Sequence, residues 1–137
     1  MTTKEPFSCI FKAVFAGKPE KEWESNGTRY IWGLRYEYAV TGDFKGAATS
    51  IVNGKTEPST GDGIAFGNSI LNVKDSKWGP GTFELRWTCK IKDEMIISGE
   101  IIGKGTKNFA EWKLMGSIHD IEPHVRLVEG HILNPRG

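Results

Sequence analysis

His119, Asp120, Glu122 and His124 stand close together, and imidazole and carboxylate are legitimate ligands for zinc and related metals. His131 could return to the same end of the molecule. The spacing matches no established metal motif, and a solvated connection around Pro123 is the plainer reading, so no metal is assigned. A second group is aromatic. Tyr30, Trp32, Tyr36 and Tyr38 recur at even spacing, a stripe that could line a pocket for a flat or hydrophobic molecule, with tyrosine hydroxyls as the few placed polar groups. The same stripe could simply fill a core, although buried tyrosines need partners that aliphatic residues would not. Phe83, Trp87 and Trp112 extend the set, giving Tyr30, Trp32, Tyr36, Tyr38, Phe83, Trp87 and Trp112 as candidate ligand-binding residues. Tyr36 and Glu100 are the candidate acid or base.

No nucleophile constellation is legible. There is no Gly-x-Ser-x-Gly, and Gly103 to Lys107 resembles half a phosphate loop but lacks its spacing and precedes a strand. Cys9 has no basic neighbour in sequence, and Lys90 beside Cys89 falls on the opposite face of its strand, so neither thiol has an obvious activating partner. They sit within apolar strand patterns, which favours buried free thiols over a disulfide. No cofactor is implied.

The elements that must position these residues are strands. Period-two alternation recurs, and the helical period never persists. Phe7, Cys9, Phe11, Ala13 and Phe15 share one face of a first strand. Residues 17–27 form a charged connection, either a loop or a short helical turn around Glu20 to Trp23. Tyr30, Trp32, Leu34, Tyr36, Tyr38 and Val40 line one face of the second strand. Phe44 to Val52 follows, with a bend expected at Gly46. After a polar loop over 54–63 come Ile64 to Val73, then Thr82 to Ile91, where Phe83, Leu85, Trp87, Cys89 and Ile91 alternate with polar residues. Met95 to Ile102, Asn108 to Ile118 and Val125 to Leu133 complete about eight strands. About eight short strands without a helix mean a barrel or a sandwich, and sequential hairpins favour the barrel. The expected fold is an all-β domain over 1–137, a single closed antiparallel barrel of lipocalin-like or related shape, although the Gly-x-Trp signature of lipocalins is absent.

The hairpin after Ile91 can close in two ways. With Lys92 and Asp93 as the loop, Leu85 opposes Glu100, and a carboxylate joins the aromatic face. With Lys92 to Glu94 as the loop, Glu100 lies opposite Arg86 as a cross-strand ion pair. The second is favoured because burying an unpaired carboxylate is costly. Either way Ile96, Ile97, Ile101 and Ile102 put isoleucine on both faces. The outer ones call for a cover, supplied by a partner subunit or by the 17–27 segment.

Composition narrows the class. Hydrophobic residues make up 38% and charged residues 26%, which suits a globular domain, and fifteen aromatics are a large apolar payload for 137 residues. A formal net charge of +1 without a basic stripe argues against a nucleic-acid binder. Nothing reads as a signal peptide or a membrane span, so a cytoplasmic, membrane-independent protein is expected.

Gly42-Asp43-Phe44-Lys45-Gly46-Ala47, together with Gly103-x-Gly105-x-x-x-Phe109 leading to Gly116-Ser117, resembles the glycine-punctuated strands of the allene oxide cyclase-like and dirigent-like barrels. The likeness spans roughly residues 30–118. It implies an eight-stranded, often oligomeric barrel that holds a hydrophobic small molecule and in several members steers a cyclisation by confinement. No family catalytic residue maps onto a position here. The expected function is a barrel that holds a hydrophobic small molecule in its interior, with a cofactor-free isomerase or cyclase as its enzymatic form. The alternative is a non-catalytic, homo-oligomeric assembly module with a packed core.

Overall fold

A computed structural model describes residues 2–135. Nine strands follow in order: β1 (Thr3–Ala16), β2 (Lys21–Ser25), β3 (Thr28–Gly42), β4 (Phe44–Glu57), β5 (Asp62–Ser76), β6 (Gly81–Lys92), β7 (Met95–Thr106), β8 (Lys113–Glu122) and β9 (Val125–Asn134). Neighbours from β2 to β9 pair antiparallel in sequence order, β9 pairs with β1, and β1 pairs with the second half of β3. The sheet thus closes into an eight-stranded barrel, with β2 as an extra strand on the first half of β3. Closure removes the free edges that an open sheet of this length would expose.

Alternation builds the wall. On β6, Phe83, Leu85, Trp87 and Cys89 are buried while Glu84, Arg86, Thr88 and Lys90 are exposed. The bend expected at Gly46 coincides with a register shift between Lys45 and Gly46.

Several boundaries differ from the sequence expectation. The 17–27 segment holds a strand rather than a helical turn or a plain loop. Asn26 and Gly27, both at positive φ, supply the tight turn that folds β2 back onto β3. β4 runs on to Glu57, which shortens the polar loop. β7 continues through the expected turn to Thr106, and a 3-10 turn over Lys107–Phe109 delays β8 to Lys113. The 119–124 connection is mostly strand, and only Pro123 and His124 turn the chain.

The β6–β7 hairpin follows neither expected closure. Its loop is Asp93-Glu94, with φ of 51° and 67°, the left-handed pair that a two-residue hairpin of this twist requires. Lys92 pairs with Met95 and Ile91 with Ile96. A register shift then sets Lys90 opposite Ser98 and Thr88 opposite Glu100. The extra residue is Ile97, and it lets Ile96 and Ile101 both point inward although they are five positions apart.

Candidate ligand-binding site

A one-residue irregularity in β3 decides which aromatic side chains face the interior. Leu34, Tyr36 and Tyr38 line the lumen, and the register shifts between Ile31 and Leu34. Gly33 sits at φ +72°, which a residue with a side chain adopts only with strain, and its amide donates to Asn53 Oδ1 at 2.9 Å. Beyond this bulge the parity is reversed, so Arg29 and Ile31 face inward. Tyr30 and Trp32, expected to share the face of Tyr36, point outward instead. Tyr30 stacks on Trp23 with centroids 5.2 Å apart, and Trp32 is 47% exposed with its ring edge-on to Phe66.

Phe83 and Trp112 are interior but far from open space. With Phe7, Phe44, Trp78 and Phe109 they plug one end of the barrel, with centroid separations of 4.9 Å for Phe83–Phe109 and 4.7 Å for Phe109–Trp112. Such tilted and stacked contacts leave no room for a ligand.

Between this plug and the opposite end lies a cavity of about 190 Å³. Phe11, Tyr36, Tyr38, Trp87 and the isoleucines 91, 96, 101 and 118 form its apolar walls. Arg29, Lys55, Glu94 and His124 stand around it as well. Of the seven expected ligand-binding residues, Tyr36, Tyr38 and Trp87 line it.

Two polar groups interrupt the walls. On β8 and β9, Asp120 pairs across the strands with Arg126, and their side chains are 3% and 13% exposed. Asp120 Oδ2 accepts the Ile96 amide at 3.0 Å, while Arg126 Nε approaches Oδ1 only to 3.5 Å. The guanidinium lies over the rings of Tyr36 and Tyr38, at 5.6 and 5.4 Å from their centroids. Among the described residues, Arg126 Nη1 is buried without a hydrogen-bond partner. On β4 and β5, Trp87 Nε1 donates to Ser69 Oγ at 3.0 Å, and Ser69 shares a hydrogen bond with Ser50.

Arg126, Ser50 and Ser69 were not singled out by the sequence. The available signal was parity, since Arg126 falls in step with buried Val128 and Ile132, and Asp120 in step with buried Leu114 and Ile118. The residues weighed as metal ligands do not converge. Asp120 faces the lumen, neighbouring His119 lies on the opposite strand face, and His124 sits in the turn. Among the described residues no group of three or more such side chains is placed to hold a metal ion.

Glu100 is exposed on the outer face opposite Thr88 and Ser117, so this candidate acid or base cannot touch the lumen. Ile97 and Ile102 beside it are 52% and 58% exposed. The 17–27 segment does not cover them, because β2 lies along β3, four strands away from β7 in the sheet order.

Burial sets the electrostatics of the groups nearby. It pushes the Tyr38 hydroxyl up to about 12, an effect that the nearby Arg126 charge partly offsets. Burial also raises the Cys9 thiol to about 12 and the Cys89 thiol to about 11, and both cysteines are free. Neither is a thiolate nucleophile near neutral pH. All three groups bind protons more tightly in the folded chain than in the unfolded one. Their contribution to stability is therefore complete below the ordinary values of 9.0 for cysteine and 10.0 for tyrosine, and is lost as pH rises through 11 to 12. Urea midpoints should fall over that alkaline window, and Tyr38→Phe should make the upper part of the fall shallower.

No protein-family model matches the chain, and no curated protein matches it either.

Proposed function

We propose that this protein is a small-molecule-binding β-barrel that holds a compact, largely hydrophobic ligand in the cavity above its aromatic plug. The observation that carries this reading is that the barrel interior is not filled. One end is packed solid, while the rest keeps about 190 Å³ walled largely by aromatic and isoleucine side chains, with Arg126 among its few charged groups. Apolar walls with a few placed polar groups are the usual make-up of a ligand site. A closed eight-stranded barrel is also what the resemblance to the allene oxide cyclase-like group implies. A cavity of about 150 Å³ takes benzene, so this one suits one or two rings rather than a long chain.

Binding is the part of this reading that the cavity supports. A cofactor-free isomerase or cyclase also needs an acid or base on the ligand; of the two candidates, Glu100 is outside and Tyr36 lines the cavity. The Asp120 carboxylate already accepts the Ile96 amide and faces Arg126. A small aromatic compound should quench tryptophan fluorescence saturably, and Trp87→Phe should remove most of that quench while Trp23→Phe leaves it intact. Unchanged quenching in Trp87→Phe would place the ligand elsewhere.

A second reading concerns the outer surface, where Ile51, Ile70, Ile102 and Met115 are exposed around Glu84 and Arg86. A second copy of the chain is the occupant this face fits. Opposite charges two positions apart on β6 let a two-fold axis set Glu84 of each copy against Arg86 of the other. Light scattering should show a dimer that Ile102→Lys converts to monomer; a wild-type monomer at micromolar concentration would contradict it.

A further inference from the structure

We infer that the cavity ligand is a small aromatic carboxylate, held with its carboxylate on Arg126 and its ring between the tyrosine pair and Trp87. This rests on the reading of the cavity as a binding site, and it narrows the ligand to one chemical class.

The guanidinium is the reason. Its carbon lies over the rings of Tyr36 and Tyr38, 5.6 and 5.4 Å from their centroids, and the two rings are 5.9 Å apart and nearly parallel at 18°. Aromatic contacts hold the cation in place but fill none of its N–H donors. Asp120 approaches the Nε edge at 3.5 Å, too long for a good hydrogen bond, and its other oxygen is taken by the Ile96 amide. Among the described residues Nη1 has no acceptor, and Asp120 Oδ1 beside the guanidinium has no donor. A buried guanidinium with unfilled donors is costly, and a carboxylate fills them best, because its two oxygens match the planar fork.

The far wall supplies the second half of the specificity. β4 and β5 lie half-way round the closed barrel from β8 and β9, so Ser50 and Ser69 face the Asp120–Arg126 pair across the lumen. Aromatic and isoleucine side chains supply the apolar walls beside these two poles, while Arg29, Lys55, Glu94 and His124 also border the cavity. A ring with a carboxylate at one end and a hydroxyl at the other satisfies both poles within the available volume.

Calorimetric titration of the intact chain with para-hydroxybenzoate and with para-hydroxybenzyl alcohol tests this directly, since the two probes differ only in the group offered to Arg126. The acid should bind at least about tenfold more tightly than the alcohol. The double variant Asp120→Asn/Arg126→Gln leaves no unpaired charge, and should bring the acid down to the affinity of the alcohol. Asp120→Asn alone should tighten the acid several-fold and leave the alcohol unchanged, because it removes the carboxylate that lies against Arg126. Equal affinities, or an acid preference that survives the double variant, would overturn the carboxylate assignment and leave the cavity as a site for neutral ligands. Binding of neither probe would overturn the ligand-binding reading itself, and this inference with it.

Discussion

Arg126→Met should destabilise the barrel by about 3–5 kcal/mol, far more than the loss of a surface ion pair. The reason is what it leaves behind. Asp120 is 3% exposed, and without the guanidinium its carboxylate keeps only the Ile96 amide as a partner. The substitution also removes the cation from the faces of Tyr36 and Tyr38. Asp120→Leu should cost less, because the stranded guanidinium still has two aromatic faces and is 13% exposed. The double variant Asp120→Leu/Arg126→Met should recover most of the loss, since apolar replacement of a whole buried pair is often neutral or stabilising. Urea denaturation of the four proteins gives the coupling energy. A cost below about 1 kcal/mol for Arg126→Met would mean that the pair behaves as a solvated one.

Phe109→Ala should cost a similar amount, about 3–5 kcal/mol, by a different mechanism. Phe109 is fully buried in the plug, stacked on Phe83 and tilted against Trp112. Two glycines make room for it. A Cβ at Gly81 would come within 2.5 Å of the Phe109 ring, and one at Gly105 within 1.9 Å of its carbonyl oxygen. The 3-10 turn of Lys107–Phe109 is therefore laid directly on bare backbone, and the ring closes the barrel end. Truncation leaves a cavity that the surrounding rings cannot collapse into. The melting temperature should fall by roughly 10–20 °C. Ligand affinity should survive at temperatures where the variant is folded, because the plug and the cavity are separate layers of the interior.

The contrast between β6 and β3 shows what the sequence could convey. On β6 the alternation is unbroken, and every residue assigned to its inner face is inside. On β3 the same rule holds from Leu34 onward and fails before it, because the bulge at Gly33 inserts one residue and turns Tyr30 and Trp32 outward. A glycine inside a strand pattern is a bulge signal, and Gly33 carries it as Gly46 does. β7 repeats the lesson, since the extra residue at Ile97 sets Glu100 opposite Thr88 and leaves it on the outside.

Candidate-site residues were hidden for a related reason. The stretch around Pro123 looks like a loop, yet the chain turns on two residues, and Asp120 and Arg126 emerge as a cross-strand pair. Period two with respect to Ile118 and Val128 predicts their inward direction once that turn is placed. Nothing local predicts that the barrel packs its rings at one end and leaves space at the other. That follows from Phe44, Trp78, Phe83, Phe109 and Trp112 meeting from four different segments of the chain.

Isoleucine methyl groups report, from both sides of the wall, on whether a small molecule enters the barrel. Ile91, Ile96, Ile101 and Ile118 line the cavity, whereas Ile51, Ile70, Ile97 and Ile102 are exposed on the outer face. Titration of methyl-labelled protein with para-hydroxybenzoate should shift the first four resonances saturably, by the ring current of the bound molecule, and leave the second four in place. Shifts confined to the outer isoleucines, or no saturable shift at any of the eight, would contradict the account.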